Sequence, residues 1–256
     1  MPTAAAPMPH LTVPAARCGP PRSGNGGWTA GALAARLLDG PDDPGGPDVA
    51  PVTVRLHRPP PLDRPLPVTP LADDPGALVL LDDDADAPVA TARAGALAAA
   101  PPAPVDVAAA ALAEQRYAGL AHHPFPGCFA CGPARQDGEG LRIFPGPVAE
   151  GRVAATWVPH PALAEDDLTL PTAVTWAALD CPGGWSSDLE DRPMVLGEMT
   201  AVVLRAPRAG VRHVVVGEHR RTEGRRTWTA ASLWDGEDLV GHAEHVWVAI
   251  DPAAFA

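Results

Sequence analysis

Polar and apolar residues alternate along much of the chain with the two-residue period of a half-buried β-strand. The alternation is clearest over residues 52–58, where Val52, Val54 and Leu56 are separated by polar side chains. Asp235-Gly236 lies between two such segments and is typical of a β-hairpin turn. Alternating segments and short apolar runs together predict strands at 11–13, 52–58, 66–68, 77–81, 89–93, 152–158, 194–204, 212–221, 227–234 and 239–250.

Two segments instead carry apolar or small residues at nearly every position, which is typical of helices buried on all sides. The first spans 28–38 and follows the turn sequence Gly24-Asn25-Gly26-Gly27. A Pro/Asp/Gly cluster reaching Pro47 is expected to end it. The second begins at Pro171 and is expected to end at Pro182-Gly183-Gly184. A shorter helix is predicted within 105–117.

A helix followed by strands occurs twice, in the same order and at nearly the same spacing. The second helix start, Thr172, lies 145 residues after Gly27, and Val240 of a later strand lies 151 residues after Val89. This repetition predicts an internal duplication with a functional site between the halves. The predicted division is an N-terminal unit at 1–100, a connector at 101–125 and a C-terminal unit at 126–256.

The composition excludes several classes of partner. With 19 Lys and Arg against 31 Asp and Glu, the formal net charge is −12 at pH 7, which disfavours nucleic acid and anionic membrane surfaces. No apolar run is long enough for a transmembrane helix, and no basic start precedes an apolar stretch. We therefore expect a cytoplasmic protein. Four cysteines are too few for a disulfide scaffold of this length.

A local motif adds a family resemblance to this pattern. Cys128-Phe129-Ala130-Cys131-Gly132-Pro133 is followed by Gly140-Leu141-Arg142-Ile143. Together with the helix-then-strands order, this resembles the double-hotdog acyl-CoA thioesterases, although Arg135-Gln136-Asp137 replaces the usual Asn-Pro of the motif. The resemblance implies an α+β double hotdog, in which two helix-wrapped antiparallel sheet units are joined in one chain. Acyl-thioester sites would then lie between the units.

The resemblance also implies a catalytic pair divided between the units. Such enzymes carry a Gly-Gly turn at the helix start and an acid eight residues after the second glycine; counted from Thr172, that position is Asp180. The first unit keeps Gly26-Gly27 but has Ala35 at the acid position. The Gly27 amide would polarise the thioester carbonyl, and Asp180 would act as general base or nucleophile. The alternative is that Asp180 caps a turn.

Other residues complete the predicted site. Thr200 and His245 lie on strands whose polar residues hold the attacking water in the family, but a shift of one residue would turn them to the opposite face. A solvated strand face is their alternative role. The predicted substrate-binding residues are Asn25, Gly26, Trp28 and Thr172. For the glycine turn the alternative is a plain tight turn, and for Trp28 it is a place in the core.

Cys128 and Cys131, with His122 and His123 upstream, have spacing that zinc sites use. No second Cys-x-x-Cys follows, so a buried turn is favoured, and no metal or cofactor is predicted. The predicted function is therefore hydrolysis of acyl-CoA or another acyl thioester, with a homodimer left open. A non-catalytic acyl-thioester or lipid-binding protein is the alternative. A hotdog hydratase is disfavoured because neither helix carries the Asp and His spacing of that class.

Overall fold

The computed structural model describes residues 9–38 and 50–251 of the chain. The predicted helix end in the cluster reaching Pro47 lies outside these residues. The helices are α1 (Gly26–Leu38), α2 (Val107–Glu114) and α3 (Thr172–Trp185). The strands are β1 (His10–Thr12), β2 (Val52–Leu56), β3 (Pro65–Leu71), β4 (Asp74–Asp82), β5 (Ala87–Ala94), β6 (Gly146–Ala149), β7 (Arg152–Trp157), β8 (Met194–Val203), β9 (His213–Glu223), β10 (Arg226–Asp235) and β11 (Asp238–Ala249).

The described strands form one antiparallel sheet in the order β1-β3-β4-β5-β2-β8-β11-β10-β9-β7-β6. The first five in this order precede α2 in the chain and the other six follow it. The two sets meet where β2 pairs with β8, from Val52 opposite Ala201 to Arg55 opposite Glu198. The helix-plus-sheet arrangement occurs twice, as the alternation and the two apolar segments predicted.

Helices α1 and α3 lie against the sheet and pack against each other in antiparallel directions, with Gly27 beside Asp180 and Gly31 beside Ala173. Glycine makes this close approach possible. A Cβ atom at Gly31 would lie 2.6 Å from the Trp176 Cβ atom and 2.8 Å from the Ala173 Cα atom, well inside van der Waals contact. The crossing therefore depends on small residues in α1.

Helix α3 does not end at Pro182-Gly183-Gly184, so that prediction was wrong. The helix continues to Trp185, and each residue from Ala173 onward is buried. Packing compensates for the N–H group that proline lacks. The following glycines fit beneath two side chains of β11, since a Cβ atom at Gly183 would lie 2.6 Å from His245 Nδ1. Asp180 therefore lies inside a continuous helix.

The segment that links the two sets of strands contains a helix, which packs against the second set. Helix α2 packs against β6 and β7, and the Asp106 side chain caps its start by accepting from the N–H groups of Ala108 and Ala109. The unit boundaries at 1–100 and 126–256 stay predictions. Within the described residues, no helix is long and apolar enough to cross a membrane.

Candidate functional site

A cavity of about 280 Å³ opens where the start of α1 meets the last turns of α3. Leu196 of β8 and Trp247 of β11 form part of its wall, and the loop at 56–60 forms another part. Most of the lining is apolar, as in sites that bind small molecules. The polar or ionisable side chains in the lining are Ser23, Asn25, His57, Arg58, His123, Cys128, Cys131, Asp180 and Cys181.

Asp180 is the buried acid of this cavity, with 2 % of its surface exposed. Its Oδ2 atom accepts hydrogen bonds from the Gly27 backbone N–H at 2.9 Å and from Asn25 Nδ2 at 3.2 Å. Its Oδ1 atom is buried and has no hydrogen-bond partner among the described residues. One carboxylate oxygen is thus fixed by the first unit, and the other is unpartnered.

The start of α1 is shaped to receive this carboxylate. A Cβ atom at Gly27 would lie 2.9 Å from both Asp180 Cγ and the Trp176 carbonyl oxygen, so only glycine permits the contact. Asn25 also caps the helix, because its Oδ1 accepts from the Trp28 N–H at 2.8 Å. Gly26 lines the cavity, and its N–H has no hydrogen-bond partner within the described chain.

Burial raises the pKa of Asp180 to about 7. The hydrogen bond from the Gly27 amide lowers the pKa, the charge of Cys128 raises it and the Asn25 amide lowers it, in order of decreasing effect. Desolvation therefore outweighs the two donors. Near neutral pH this carboxyl group exchanges between its protonated and ionised forms.

The structure brings together Asn25, Gly26, Gly27 and Asp180, but not the other predicted site residues. Thr172 is the first residue of α3, at the far end of the helix from Asp180. The Trp28 side chain packs on the core, and neither residue lines the cavity.

Thr200 and His245 also lie outside the cavity lining. Thr200 Oγ1 is 2.8 Å from Thr53 Oγ1, across the β2–β8 pair, while its neighbour Met199 is fully buried in the core. The predicted face is therefore off by one residue. His245 is buried beneath α3, where its Nδ1 is 3.1 Å from Thr229 Oγ1, and burial lowers its pKa to about 3.

The structure adds one group that the spacing did not reveal. Cys181, next to Asp180 in α3, joins Cys128 and Cys131, and the three sulfur atoms lie within 4.8 Å of one another. Cys128 Sγ and Cys181 Sγ are 3.8 Å apart, and His123 Nε2 is 3.3 Å from Cys131 Sγ. Hydrogen bonds from the other two thiols hold the pKa of Cys128 well below its usual range. In the sequence, the only sign of the third sulfur atom is a cysteine, Cys181, within the second apolar segment.

Comparisons with known proteins identify the fold. A conserved hot dog-fold protein from Alicyclobacillus acidocaldarius is 14 % identical with a TM-score of 0.63, over 98 % of this chain and 96 % of that one. The tesB protein of Mycobacterium avium subsp. paratuberculosis is 12 % identical with a TM-score of 0.54, over 97 % and 91 %. A protein provisionally described as an oleoyl thioesterase, from Lactobacillus plantarum, is 7 % identical with a TM-score of 0.55, over 97 % and 100 %.

These likenesses extend over nearly the whole of each chain, so the α+β double-hotdog prediction is confirmed. No protein-family model matches the sequence, and no curated protein matches it. The identities are low, and the likeness therefore establishes the fold and leaves the activity to the chemistry of the site.

Proposed function

We propose that this protein hydrolyses acyl thioesters, such as an acyl-CoA, with Asp180 as the general base. The observation that carries the proposal is the buried carboxylate at the crossing of α1 and α3. Its Oδ2 is held by the backbone N–H of Gly27 and by Asn25, while its Oδ1 has no partner in the described chain. A carboxylate fixed in this way needs no reorganisation before it accepts a proton.

In the proposed reaction, a water molecule held by Asp180 Oδ1 attacks the thioester carbonyl carbon and gives its proton to the carboxylate. Negative charge then develops on the carbonyl oxygen, and the C–S bond breaks as the protonated Asp180 gives its proton to the leaving sulfur, which releases a thiol and a carboxylic acid. Direct attack by Asp180 on the carbonyl carbon is the nucleophilic alternative, which the same carboxylate position allows.

The group that donates to the developing oxyanion differs from the Gly27 amide that the sequence predicted. The Gly27 amide already donates to Asp180, so a substrate carbonyl would have to displace Oδ2 to reach it. Gly26 is one residue earlier in the same first turn and lines the cavity, and its N–H is unpaired within the described residues. We assign the oxyanion contact to Gly26 and the positioning of the carboxylate to Gly27, with the α1 dipole adding to both.

The comparisons support this proposal at the level of reaction class. Two of the full-length likenesses are to a tesB protein and to a protein described as an oleoyl thioesterase. The low identities mean that the residue roles rest on the geometry of this chain alone.

The test is hydrolysis of a panel of acyl-CoA substrates by the wild type and by Asp180→Asn. Asparagine keeps the side-chain volume but cannot take a proton from water, so we expect kcat to fall by about 10²–10⁴-fold. Released CoA should be separated by chromatography, because thiol reagents would also react with the cysteines. Asp188→Asn, at an exposed position just after α3, is the matched control and should keep wild-type kcat. Equal, non-zero rates for Asp180→Asn and wild type would remove Asp180 from the mechanism.

A second function is favoured by the occupied Gly27 amide. If the carboxylate serves only to close the helix crossing, the protein would bind acyl thioesters without turning them over. Calorimetric binding of an acyl-CoA thioether analogue, with no CoA released from the corresponding thioesters, would support this alternative and contradict hydrolysis.

A further inference from the structure

We infer that Cys128, Cys131 and Cys181 bind a Zn²⁺ ion at the wall of the cavity, with the fourth coordination position open to the cavity. The inference does not depend on thioester hydrolysis. It rests on three sulfur atoms from two separate segments of the chain that converge within 4.8 Å, all of them buried.

The spacing of Cys128 and Cys181 fits a single tetrahedral ion, and Cys131 lies within reach of the same ion. With Zn–S bonds of about 2.3 Å and tetrahedral angles, two sulfur ligands of the same zinc lie ~3.8 Å apart. Cys128 Sγ and Cys181 Sγ are 3.8 Å apart. A disulfide would require a distance of about 2.05 Å, and the cysteines of the described chain are free thiols.

The local structure around Cys128 also suits a bound thiolate. The Gly132 N–H donates to the Cys128 carbonyl at 2.9 Å, which closes a tight turn around the Cys-x-x-Cys segment. A Cβ atom at Gly132 would lie 2.5 Å from the Cys128 backbone N and O atoms, so this turn requires glycine. The turn thus places Cys128 and Cys131 in one cluster with Cys181.

His123 is best assigned as a hydrogen-bond donor to Cys131 and not as the fourth ligand. Its Nδ1 accepts from the Phe125 N–H at 2.9 Å, which leaves the proton of the neutral ring on Nε2. That Nε2 lies 3.3 Å from Cys131 Sγ, where an N–H group donates to a thiolate. Such partners fix metal ligands and tune them. The fourth position then falls to water, as in zinc sites with three protein ligands.

Zinc is the ion that this donor set favours. Thiolates select soft or borderline metals such as Zn²⁺. Three thiolates and one Zn²⁺ carry a net charge of a single negative unit. The Asn25 amide nitrogen, 3.7 Å from Cys128 Sγ, can donate to this negative charge. The ion would connect the loop containing Cys128 and Cys131 to the α3 turn that contains Asp180, and so would fix one wall of the cavity.

The experiment is metal analysis by inductively coupled plasma mass spectrometry on full-length protein, purified without chelator or a metal-affinity column. We expect about one Zn²⁺ per chain in the wild type and a near-complete loss in Cys181→Ser. Cys18→Ser is the matched control: Cys18 lies nearby but outside the sulfur cluster, so this variant should keep its zinc. His123→Gln should also keep it, and loss of zinc there would overturn the assignment of His123 as a donor.

A measurement on the wild type keeps the proposal testable if Cys181→Ser does not fold. Removal of zinc with a chelator and addition of Co²⁺ should produce the intense thiolate-to-cobalt charge-transfer absorption of a sulfur-rich site. Asp180→Asn should give the same absorption, whatever its activity. Metal-free wild-type protein that takes up neither ion, or a disulfide between any two of the three cysteines detected by mass spectrometry, would overturn the proposal.

Discussion

Replacing Gly31 with alanine tests whether the approach of α1 to α3 is limited by sterics. Helix propensity alone predicts a gain in the free energy of unfolding, because alanine is favoured over glycine by about 1 kcal/mol in a helix interior. The added Cβ atom would lie 2.6 Å from Trp176 Cβ and 2.8 Å from Ala173 Cα, and Trp176 is only 1 % exposed. Carbon atoms prefer separations of about 3.5–4.0 Å, so the helices must separate by about 1 Å.

Forced overpacking costs about 1–3 kcal/mol, and two contacts this short with atoms that the backbone fixes place Gly31→Ala in the upper part of that range, at about 2–3 kcal/mol, which exceeds the propensity gain. We therefore expect Gly31→Ala to lower the free energy of unfolding by about 1–2 kcal/mol. For a chain of this size that corresponds to a fall in Tm of roughly 2–8 °C. The same displacement would lengthen the 2.9 Å contact between the Gly27 amide and Asp180, so kcat for thioester hydrolysis should fall as well.

Urea unfolding followed by far-UV circular dichroism, together with a thermal melt, measures the effect. Gly127→Ala is the control, because a Cβ atom there has no neighbour within 4 Å and the backbone is not left-handed. That variant should be as stable as the wild type. If Gly31→Ala is equally stable or more stable than wild type, propensity has outweighed contact and the steric account of the crossing is wrong.

Two further predictions concern neighbouring polar groups. Asn25→Ser keeps a helix-capping side chain but loses the amide that contacts Asp180, so activity should fall while Tm stays near that of the wild type. Asn25→Ala also loses the cap, so its free energy of unfolding should fall by about 1 kcal/mol as well. Equal activity in both variants and the wild type would contradict a role for the contact in hydrolysis. His245, close to His242, is buried with its pKa lowered to about 3, so the unfolded chain takes up a proton below about pH 6.5 that the folded chain refuses. This group alone therefore removes about 2 kcal/mol of stability between neutral pH and pH 5, while the raised pKa of Asp180 acts in the opposite direction. Urea titrations at both pH values should show that the change in the free energy of unfolding on acidification is about 2 kcal/mol more favourable in His245→Gln than in the wild type, and an identical change in the two proteins would refute this account.

Periodicity was sufficient where a strand buries one face, as in β2, whose buried Val52 and Val54 alternate with less buried residues. The 52–58 segment contains β2 (Val52–Leu56), and the apolar segment at 28–38 forms most of α1 (Gly26–Leu38). The pairing of Gly27 with Asp180 followed from a family spacing and not from any local pattern. Its geometry agrees with the composite site, whose catalytic role stays a prediction.

Three features depend on tertiary packing, which the local patterns of a single sequence do not predict. Helix α3 continues past Pro182 because the surrounding core holds it, against the local signal to stop. The face of Thr200 depended on a register that is uncertain by one residue, and one residue reverses the face. Cys181 joins Cys128 only when α3 lies against the loop, so no spacing rule connects them.

The antiparallel packing of α1 and α3 explains why the two halves are not equivalent. Where the start of α1 meets the end of α3, the first unit supplies Asn25, Gly26 and Gly27 as backbone and amide donors, and the second supplies Asp180 and all three cysteines of the cluster. At the other end, α3 begins with Thr172 and α1 has Ala35 at the position of the acid. Neither unit contains a complete site, so loss of either one should abolish hydrolysis. A single chain that contains both units keeps this unequal pair together, whereas two free copies of one unit would lack either the acid or the glycine turn.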